Sequence, residues 1–369
     1  MSVLGVLLVG WLAVSVTYRL LAFASLARMC EPEGPSPSAT IPKGEVIALR
    51  PLSGAGEQLE SCLESLWRAG KSGRMRILVG IADANDPAAS VVARVRERWP
   101  ETPCRVVVGV GPPGLNLKVS NQVQAARGER ADFWLLSDAD VRVPDDYAER
   151  LLAPFAEAGV GFATCPYRSV PARSSVSRID ALVTNTHFIP NVCLAARFEG
   201  LHFGLGATIA VRGSALERSG GFESLLDLAA DDFWLARKVE GAGWRLAWVP
   251  MMVEHVLEEE GWRSALARHV RWNRVTRASR PVGYFGSVVT HDLLPALACA
   301  LALFAAGGPG WVPLLGWWTL RAAALWQRRE LLHLCARDIW LVPLVDLAAL
   351  VVWFAGLFGS AEPPRGHAG

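Results

Sequence analysis

The stretch DFWLLSDAD, residues 132–140, decides the fold class of this chain. Its apolar part predicts a buried strand, and Asp138 and Asp140 follow where that strand ends. Two carboxylates two residues apart are oxygen ligands of the kind that Mg2+ or Mn2+ prefers. An isolated D-x-D is also a common turn in which Asp caps the next helix, so the motif needs support from the rest of the chain.

Strands and helices alternate on the N-terminal side of this stretch. Short apolar runs predict the strands EVIALR (45–50), RILVGIA (76–82) and CRVVVGVG (104–111), and helical spacing predicts helices over 58–68 and 87–99. This alternation indicates an α/β domain with a largely parallel sheet covered by helices on both faces. Ligands of such sheets bind beyond the carboxyl ends of the strands, which is where Asp83, Asp138 and Asp140 fall.

Acidic and glycine-rich elements follow on the C-terminal side. The pair Asp231-Asp232 comes just before the helical pattern FWLARKVEGAG, where one carboxylate can cap the helix while the other faces a cleft. Gly204 and Gly206 precede the strand-like ATIAVR, and either a close approach to a ligand or an ordinary turn explains them. His255, after RLAWVPMMV, is either a metal ligand or a packed or surface histidine.

The segment ALARHVRWNRVTRASRP, residues 265–281, carries an arginine at every third position beside Trp272. On a helix these side chains form a basic stripe next to an aromatic anchor. Contact with anionic lipid, ordinary positive-inside topology and contact of Arg271 with a phosphate are three open explanations. The stripe consists of Arg268, Arg271, Arg274 and Arg277.

Composition excludes several classes of protein. With 51% hydrophobic and 20% charged residues, the chain is too apolar for an ordinary soluble domain and too charged to lie wholly in a membrane. A formal charge of only +2 argues against nucleic-acid binding. The chain has no G-x-x-x-x-G-K-[ST] P-loop motif, which disfavours a kinase of that class. Seven scattered cysteines without a C-x-x-C pair predict reduced, buried thiols.

The apolar residues concentrate at the two ends of the chain. Residues 3–26 form a run long enough to cross a membrane, and its length favours an uncleaved anchor over a signal peptide. Arg19 lies toward one end of this run, so we expect its side chain to extend to the headgroups. Three further membrane segments are predicted, and Asp346 in the last indicates a helix that packs against its neighbours or lies partly in the interface. These segments are residues 293–306, 311–326 and 339–358.

Six stretches, read in order, resemble the D, D, D, (Q/R)xxRW signature of processive-type family 2 glycosyltransferases and of the ceramide glucosyltransferases. The similarity covers residues from about 45 to 290, and the ordered set is more specific than any single stretch. Within this group, residues 176–192, 203–211 and 280–290 look most similar to bacterial hopanoid-biosynthesis glycosyltransferases. The six stretches are RPLSG (50–54), IADANDPA (81–88), GLNLKVSN (114–121), SDADVRV (137–143), ADDFWLARK (230–238) and RHVRW (268–272).

The resemblance implies a GT-A-like (Rossmann-like) α/β fold and a role for each matched residue. By this resemblance, Asp83 is expected to bind the uridine, and Asp138 and Asp140 are expected to bind the metal (Mg2+ or Mn2+) and the diphosphate. Asp232 is expected to be the general base. Animal ceramide glucosyltransferases have Gly where this chain has Asp140. The RxxRW residues are expected near the donor diphosphate and the acceptor entrance, and three others near the nucleotide sugar. The first set is Arg268, Arg271 and Trp272, and the second is Pro51, Lys118 and Asn121.

The expected activity is inverting transfer of a hexose, glucose or N-acetylglucosamine, from a UDP-sugar to a hydroxyl of a membrane lipid, a hopanoid or a ceramide. A processive polysaccharide synthase and a non-catalytic membrane scaffold remain alternatives. Basic residues that follow the first and third apolar segments predict a multi-pass protein of the bacterial inner membrane with a cytoplasmic catalytic domain. We predict an anchor (1–28), a linker (29–42), a GT-A domain (43–258), interfacial helices (259–288), membrane segments (289–361) and a tail (362–369).

Overall fold

The computed structural model describes residues 3–30 and 42–360. Nearly all of the predicted linker and the whole predicted tail lie outside the described residues. The chain divides into two compact units. The α/β unit contains Met29–Tyr167 and Gly200–Glu258, and the helical unit contains Met1–Arg28, Arg168–Glu199 and Glu259–Ala361, each in its described part. The predicted domain boundaries remain a prediction.

The described residues contain ten strands and fifteen α-helices. The strands are β1 Val46–Leu52, β2 Arg76–Ile81, β3 Cys104–Val108, β4 Phe133–Ser137, β5 Val141–Arg142, β6 Val160–Thr164, β7 Tyr167–Val170, β8 Thr208–Arg212, β9 Arg245–Trp248 and β10 Val253–Val256. The helices are α1 Val3–Cys30, α2 Leu59–Gly70, α3 Ala88–Arg98, α4 Leu117–Ala126, α5 Tyr147–Leu152, α6 Ser175–Val183, α7 Ile189–Phe198, α8 Gly213–Arg218, α9 Asp231–Gly241, α10 Trp262–Ser279, α11 Pro281–Gly286, α12 Leu293–Ala305, α13 Trp311–Gln327, α14 Ala336–Trp340 and α15 Val342–Gly356.

A seven-stranded sheet in the order β3-β2-β1-β4-β8-β6-β9 forms the centre of the α/β unit. The strands β3, β2, β1 and β4 are parallel, with Leu49 of β1 opposite Leu78 and Leu136. Strand β8 runs antiparallel to both β4 and β6, whereas β9 is parallel to β6. Six of the seven strands therefore run in one direction and β8 alone is reversed, so the prediction of a largely parallel sheet is confirmed.

Side chains of β1 alternate between two apolar layers. Ile47 and Leu49 pack in one layer with residues of α4, α8 and α9, while Ala48 and Leu52 pack in the other with residues of α2, α3 and α5. This two-sided burial explains why β1 reads as a continuous apolar run. The four strands and two helices predicted from the first 140 residues all begin within one residue of the predicted starts.

The helical unit contains α1, which is 28 residues long. Among the described residues, α1 is the one helix that by itself is long and apolar enough to cross a membrane. The segments Pro281–Thr290 and Leu293–Ala305 meet at a 46° bend and together would make a second. Helices α12, α13 and α15, with 13, 17 and 15 residues, are shorter than the roughly 20 residues that a span needs, so the three C-terminal spans stay a prediction.

Arg19 of α1 lies in the interior of the helical unit, with 2% of its side chain exposed. Its guanidinium donates to the carbonyl oxygen of Thr186 and to the carboxylate of Asp292, each at 3.2 Å, and also to the carbonyl oxygen of Thr290. The expectation that Arg19 extends toward the headgroups is therefore wrong. Its charge is met inside the protein by the carboxylate of Asp292, which lies 273 positions further along the chain.

A second ion pair joins α13 to α15 in the same unit. Nη2 of Arg321 lies 2.8 Å from Oδ1 of Asp346, and both side chains are almost fully buried. His187 lies beside both pairs, because Nδ1 is 3.2 Å from Nη2 of Arg19 and Nε2 contacts Asp346. Asp346 thus packs against neighbouring helices, one of its two predicted environments. We call Arg19, His187, Asp292, Arg321 and Asp346 the buried ion cluster.

The seven cysteines are free thiols, and Cys335 alone among them is exposed. The prediction of reduced and mostly buried cysteines agrees with this arrangement.

Candidate active site

Acidic side chains from β4 and α9 meet around one lysine in the α/β unit. Asp138 directly follows β4, Asp231 and Asp232 begin α9, and Lys118 is the second residue of α4. Nζ of Lys118 lies 2.7 Å from Oδ1 of Asp138 and 3.0 Å from Oδ2 of Asp231. We call Lys118, Asp138, Asp140, Asp231 and Asp232 the carboxylate site.

The start of α4 is fixed by Asn116, which caps the helix. Its side-chain oxygen accepts a hydrogen bond from the amide of Val119 at 3.2 Å, a typical N-cap contact. Its Nδ2 donates to the carbonyl oxygen of Leu228 at 2.9 Å, three residues before α9 begins. The first turn of α4, including Lys118, is therefore held beside the first turn of α9.

Two glycines allow the backbone to approach the carboxylates closely. A Cβ atom on Gly206 would lie 3.2 Å from Oδ2 of Asp232 and 3.5 Å from Oδ2 of Asp138. A Cβ atom on Gly204 would lie only 2.7 Å from the carbonyl oxygen of Asp232. Asp138 and Asp232 therefore face the same small residue, and any larger side chain at position 206 would enter the space between them.

Asp140 points toward a histidine at the edge of the same site. Nε2 of His255 lies 3.3 Å from Oδ2 of Asp140, and its ring packs edge-on against Tyr167 with ring centres 5.7 Å apart. The carbonyl oxygen of Asp140 accepts a hydrogen bond from the amide of Val256 at 2.8 Å. Strand β10 therefore holds both the backbone and the carboxylate of Asp140.

Charge and burial shift the pKa values of the site in different directions. Burial, with the neighbouring charge of Asp231, raises the pKa of Asp232 to about 6. Burial also raises the pKa of Asp138, although Lys118 opposes the shift. Burial alone would lower the pKa of Lys118, but the carboxylates of Asp138 and Asp231 outweigh it and hold that pKa well above its usual value. Lys118 is therefore charged, and Asp232 has the basicity of a proton acceptor that works near neutral pH.

A small pocket opens beside these residues. Its polar wall contains Lys118, Ser137, Asp231 and Asp232. Its apolar wall is formed by four side chains of the same apolar layer, namely Leu136, Ile209, Leu225 and Leu235. A ligand bound here would contact both carboxylate and apolar side chains.

The donor set suits a hard divalent cation that also binds phosphate. Oδ1 of Asp140 is buried without a hydrogen-bond partner in the described structure, so one carboxylate oxygen of the D-x-D is available to a ligand. Among the described residues, no three carboxylate, imidazole or thiol groups converge as a ready-made metal cluster. Mg2+ is commonly held by one or two carboxylates together with phosphate oxygens of a substrate, and Asp138 with Asp140 fits that pattern.

Three other predicted ligand-binding residues have structural contacts in the same unit. Asp83 is exposed, and its carboxylate accepts a hydrogen bond from the amide of Asn85 at 2.9 Å. Pro51 is buried within β1. Asn121 is buried, and its amide donates to the carbonyl oxygens of Leu52 at 3.2 Å and Gly80 at 3.1 Å, the strand ends of β1 and β2. Their predicted roles toward the nucleotide sugar remain predictions.

The RxxRW residues lie on α10 and belong to the helical unit. The guanidinium of Arg268 pairs with the carboxylates of Asp180 and Glu260 and lies over the ring of Trp272, 5.6 Å from its centre. Asp180 also accepts a hydrogen bond from Nε2 of His269 at 2.6 Å. Arg271 is exposed, and Trp272 is 37% exposed.

The predicted basic stripe on α10 is not one continuous cationic surface. Nε of Arg274 donates to the carbonyl oxygen of Phe358 at 2.7 Å, and Nη2 of Arg277 donates to that of Gly359 at 2.5 Å. These carbonyls follow the end of α15, where a helix leaves acceptors unsatisfied and favours positive charge. Two of the four arginines therefore bind a helix terminus and a third binds carboxylates.

Sequence reasoning missed two residues that hold the candidate site elements in place. Asp180 binds Arg268 and His269 of the RxxRW element, and Arg50 of β1 donates to the carbonyl oxygen of Asp138 at 2.5 Å. Each is a charged residue within an otherwise apolar stretch, IDALV for Asp180 and VIALRPL for Arg50. A charge at a buried position requires a partner, which is the signal that was available.

Known proteins resemble the chain in sequence and in fold. Ceramide glucosyltransferase 1 of Caenorhabditis elegans is 25% identical over 243 residues, which is 64% of this chain and 51% of that protein. The matched part therefore spans about half the length of that relative. The structure of a mannosyltransferase from Pyrobaculum calidifontis in complex with GDP-Man and Mn2+ aligns with a TM-score of 0.53 at 17% identity, over 96% of this chain and 98% of that one.

A weaker structural similarity is to a glucosyl-3-phosphoglycerate synthase of M. tuberculosis, with a TM-score of 0.41 at 13% identity over 64% of this chain and 80% of that one. The mannosyltransferase alignment agrees with the predicted GT-A-like fold. The predicted resemblance to ceramide glucosyltransferases is confirmed, while the hopanoid subgroup stays a prediction. Because the model of glycosyl transferase family 21 matches residues 7–367, nearly the whole sequence, the chain belongs to that family of glycosyltransferases.

Proposed function

We propose that the chain is an inverting enzyme that moves a hexose, glucose or N-acetylglucosamine, from a UDP-sugar to a hydroxyl of a membrane lipid, a hopanoid or a ceramide. The observation that carries this proposal is the approach of Asp138 and Asp232 to one glycine, Gly206, beside Lys118. A donor diphosphate held near Asp138 would have its sugar next to Asp232. The similarity to a ceramide glucosyltransferase supports a lipid acceptor.

The donor side of the proposal uses the D-x-D carboxylates. Asp138 and Asp140 would hold Mg2+ or Mn2+, which when bound offsets negative charge on the departing diphosphate. His255 lies adjacent to Asp140, and its Nε2 would be a further ligand of the metal. By resemblance, Asp83 would contact the uridine of the donor. Pro51, Lys118 and Asn121 would lie near the nucleotide sugar.

Asp232 would act as the general base in a single displacement. The lipid hydroxyl oxygen forms a bond to the anomeric carbon on the face opposite the UDP oxygen, and the bond from that carbon to UDP breaks with its electron pair leaving on the diphosphate. The proton of the hydroxyl passes to the carboxylate of Asp232, whose pKa of about 6 makes it a better acceptor than an ordinary aspartate. Gly206 leaves room for the attacking oxygen.

The acceptor side of the proposal uses the helical unit. We assign Arg268, Arg271 and Trp272 to the acceptor entrance by resemblance, and α1 to anchoring in the membrane because of its length and apolar composition. The proposed location is the bacterial inner membrane, with several spans and with the catalytic domain, residues 43–258, in the cytoplasm. No nucleic-acid partner is expected.

An acceptor assay tests the proposal. Membranes that contain the full chain are incubated with radiolabelled UDP-glucose or UDP-N-acetylglucosamine. Each reaction also contains one acceptor, which is a hopanoid polyol, ceramide or diacylglycerol. We expect one sugar on each labelled lipid, loss of labelling in EDTA and recovery when Mn2+ is added in excess. A ladder of products would indicate a polysaccharide synthase, and no release of UDP with any lipid would indicate a scaffold. Labelling of ceramide alone would exclude the hopanoid and leave the mechanism unchanged.

A further inference from the structure

Arg50 is a fully buried cation in the middle of the central sheet. It lies near the end of β1 on the same face as Ala48 and Leu52, and its side chain is 0% exposed. Among the residues that the structure describes, no carboxylate lies within ion-pairing distance of its guanidinium, and Nε and Nη2 have no hydrogen-bond partner. A charge in this environment is costly to the fold.

The hydrogen bonds that Arg50 makes go to the D-x-D turn. Nη1 donates to the carbonyl oxygen of Asp138 at 2.5 Å and to that of Val141 at 3.3 Å. These two carbonyls bracket the turn that carries both carboxylates. The amide of Val141 also donates to the carbonyl oxygen of Asp138 at 3.3 Å, so the turn closes on the same acceptor that Arg50 binds.

Stability alone does not explain an arginine at this position. Replacing a buried charge by an apolar residue of similar shape is often neutral or stabilising, because the desolvation cost of the charge disappears. Two guanidinium nitrogens without partners make that cost larger. The benefit of the charge must therefore lie in what it does to the turn.

We propose that Arg50 is a positioning residue that anchors the D-x-D turn and supplies its countercharge, so that Asp138 and Asp140 are already arranged to receive a divalent cation. The inference rests on the proposed function in taking these carboxylates as the residues that hold the metal. The guanidinium is beneath the turn and shielded from solvent, so it acts through the turn and does not touch the donor.

Three variants of the full chain in detergent test this role. Arg50→Met keeps the length and removes the charge, Arg50→Gln keeps a donor without the charge, and Arg50→Lys keeps both. Binding of Mn2+ in the presence of UDP is measured from the electron paramagnetic resonance signal of free Mn2+, and the unfolding temperature is measured in parallel. We expect Mn2+ affinity to fall about 10-fold or more in Arg50→Met, which is the loss typical of removing a group that orients metal ligands. In Arg50→Lys we expect a fall of about 3-fold or less, because the charge and a donor remain.

The unfolding temperature separates this role from simple packing. We expect Arg50→Met to unfold at the wild-type temperature or above it, since the uncompensated charge is gone. Wild-type Mn2+ affinity in a folded Arg50→Met would overturn the inference. If Arg50→Met does not fold, equal Mn2+ affinity in Arg50→Gln and Arg50→Lys would overturn it, and weaker affinity in Arg50→Gln would support it. Failure of the wild-type chain to bind Mn2+ and UDP would instead overturn the proposed function and this inference with it.

Discussion

The carboxylate site and the buried ion cluster both concentrate charged side chains, but they differ in charge balance. The carboxylate site has four aspartates around one lysine, whereas the buried ion cluster has two arginines and two aspartates beside a histidine. Opposite charges in the cluster satisfy one another. The carboxylate site has an excess of negative charge over Lys118, which favours a cation from outside, as the proposed binding of a metal and a diphosphate would need.

The two groups also differ in exposure. Side chains of Asp138 and Asp140 are 36% and 44% exposed, whereas those of Arg321 and Asp346 are 1% and 2% exposed. Partial exposure would let the proposed ligands enter and leave the site. Complete burial makes each charge of the cluster depend on its partner, because no water can replace a missing one. Under the proposed function, similar residues would serve ligand exchange in the carboxylate site, whereas they serve packing in the buried ion cluster.

The largest expected effect is on turnover, from replacing Asp232 in the carboxylate site. Asp232→Asn removes the proton acceptor with almost no change of shape, so we expect kcat to fall about 1,000-fold while the affinity for UDP stays near wild type. Steady-state kinetics and UDP titration measure the two quantities. Asp231→Asn is the matched control, since Asp231 binds Lys118 and should lose donor affinity more than turnover. A parallel loss of UDP binding in Asp232→Asn would assign Asp232 to binding.

A large effect on stability is expected in the buried ion cluster. Arg321→Leu leaves Asp346 charged and without its guanidinium partner, and we expect a loss of about 3–5 kcal/mol in the free energy of unfolding. Thermal unfolding of the full chain in detergent measures it. The double variant Arg321→Leu with Asp346→Leu should recover most of the loss, because no unpaired charge remains. If both variants are equally unstable, packing and not charge balance holds this region together.

A smaller effect is expected from Gly206→Ala, which changes the space between two carboxylates and no charge. The added methyl would lie 3.2 Å from Oδ2 of Asp232, and we expect turnover to fall about 10- to 100-fold through a displaced base. Gly241→Ala is the control, because a Cβ atom there meets nothing within 4 Å. Stability should be close to wild type in both. Wild-type turnover in Gly206→Ala would show that the space beside Asp232 is not used.

Local patterns predicted the first four strands of the sheet well. Strands β1, β2 and β4 are buried on both faces, so each appears in the sequence as a continuous apolar run that ends in polar residues. The D-x-D could be recognised because it follows such an apolar run, and the acidic start of α9 because it precedes a helical pattern. The direction of β8 could not be recognised, because an apolar run has the same appearance in a parallel and an antiparallel pair.

Contacts between distant parts of the chain could not be predicted. Lys118 was matched by resemblance to a nucleotide-sugar stretch, but its bridge between Asp138 and Asp231 depends on how α4 packs beside α9. Arg19 was predicted at a membrane surface because its partner, Asp292, is 273 positions away. Composition reveals that a buried charge needs a partner, and the fold decides which one.

The pairing of Arg19 with Asp292 also sets a delay during synthesis of the chain. A ribosome adds about 5–20 residues per second, so α1 emerges roughly 10–60 s before residue 292 is made. Closing so long a loop costs little at equilibrium, about 0.6 kcal/mol for each doubling of length. The long separation therefore delays the pairing of Arg19 with Asp292 but weakens the pair little. Throughout it, the nascent α1 carries a positive charge without its carboxylate partner, and a chaperone or translocation factor that shields such a helix has that interval in which to act.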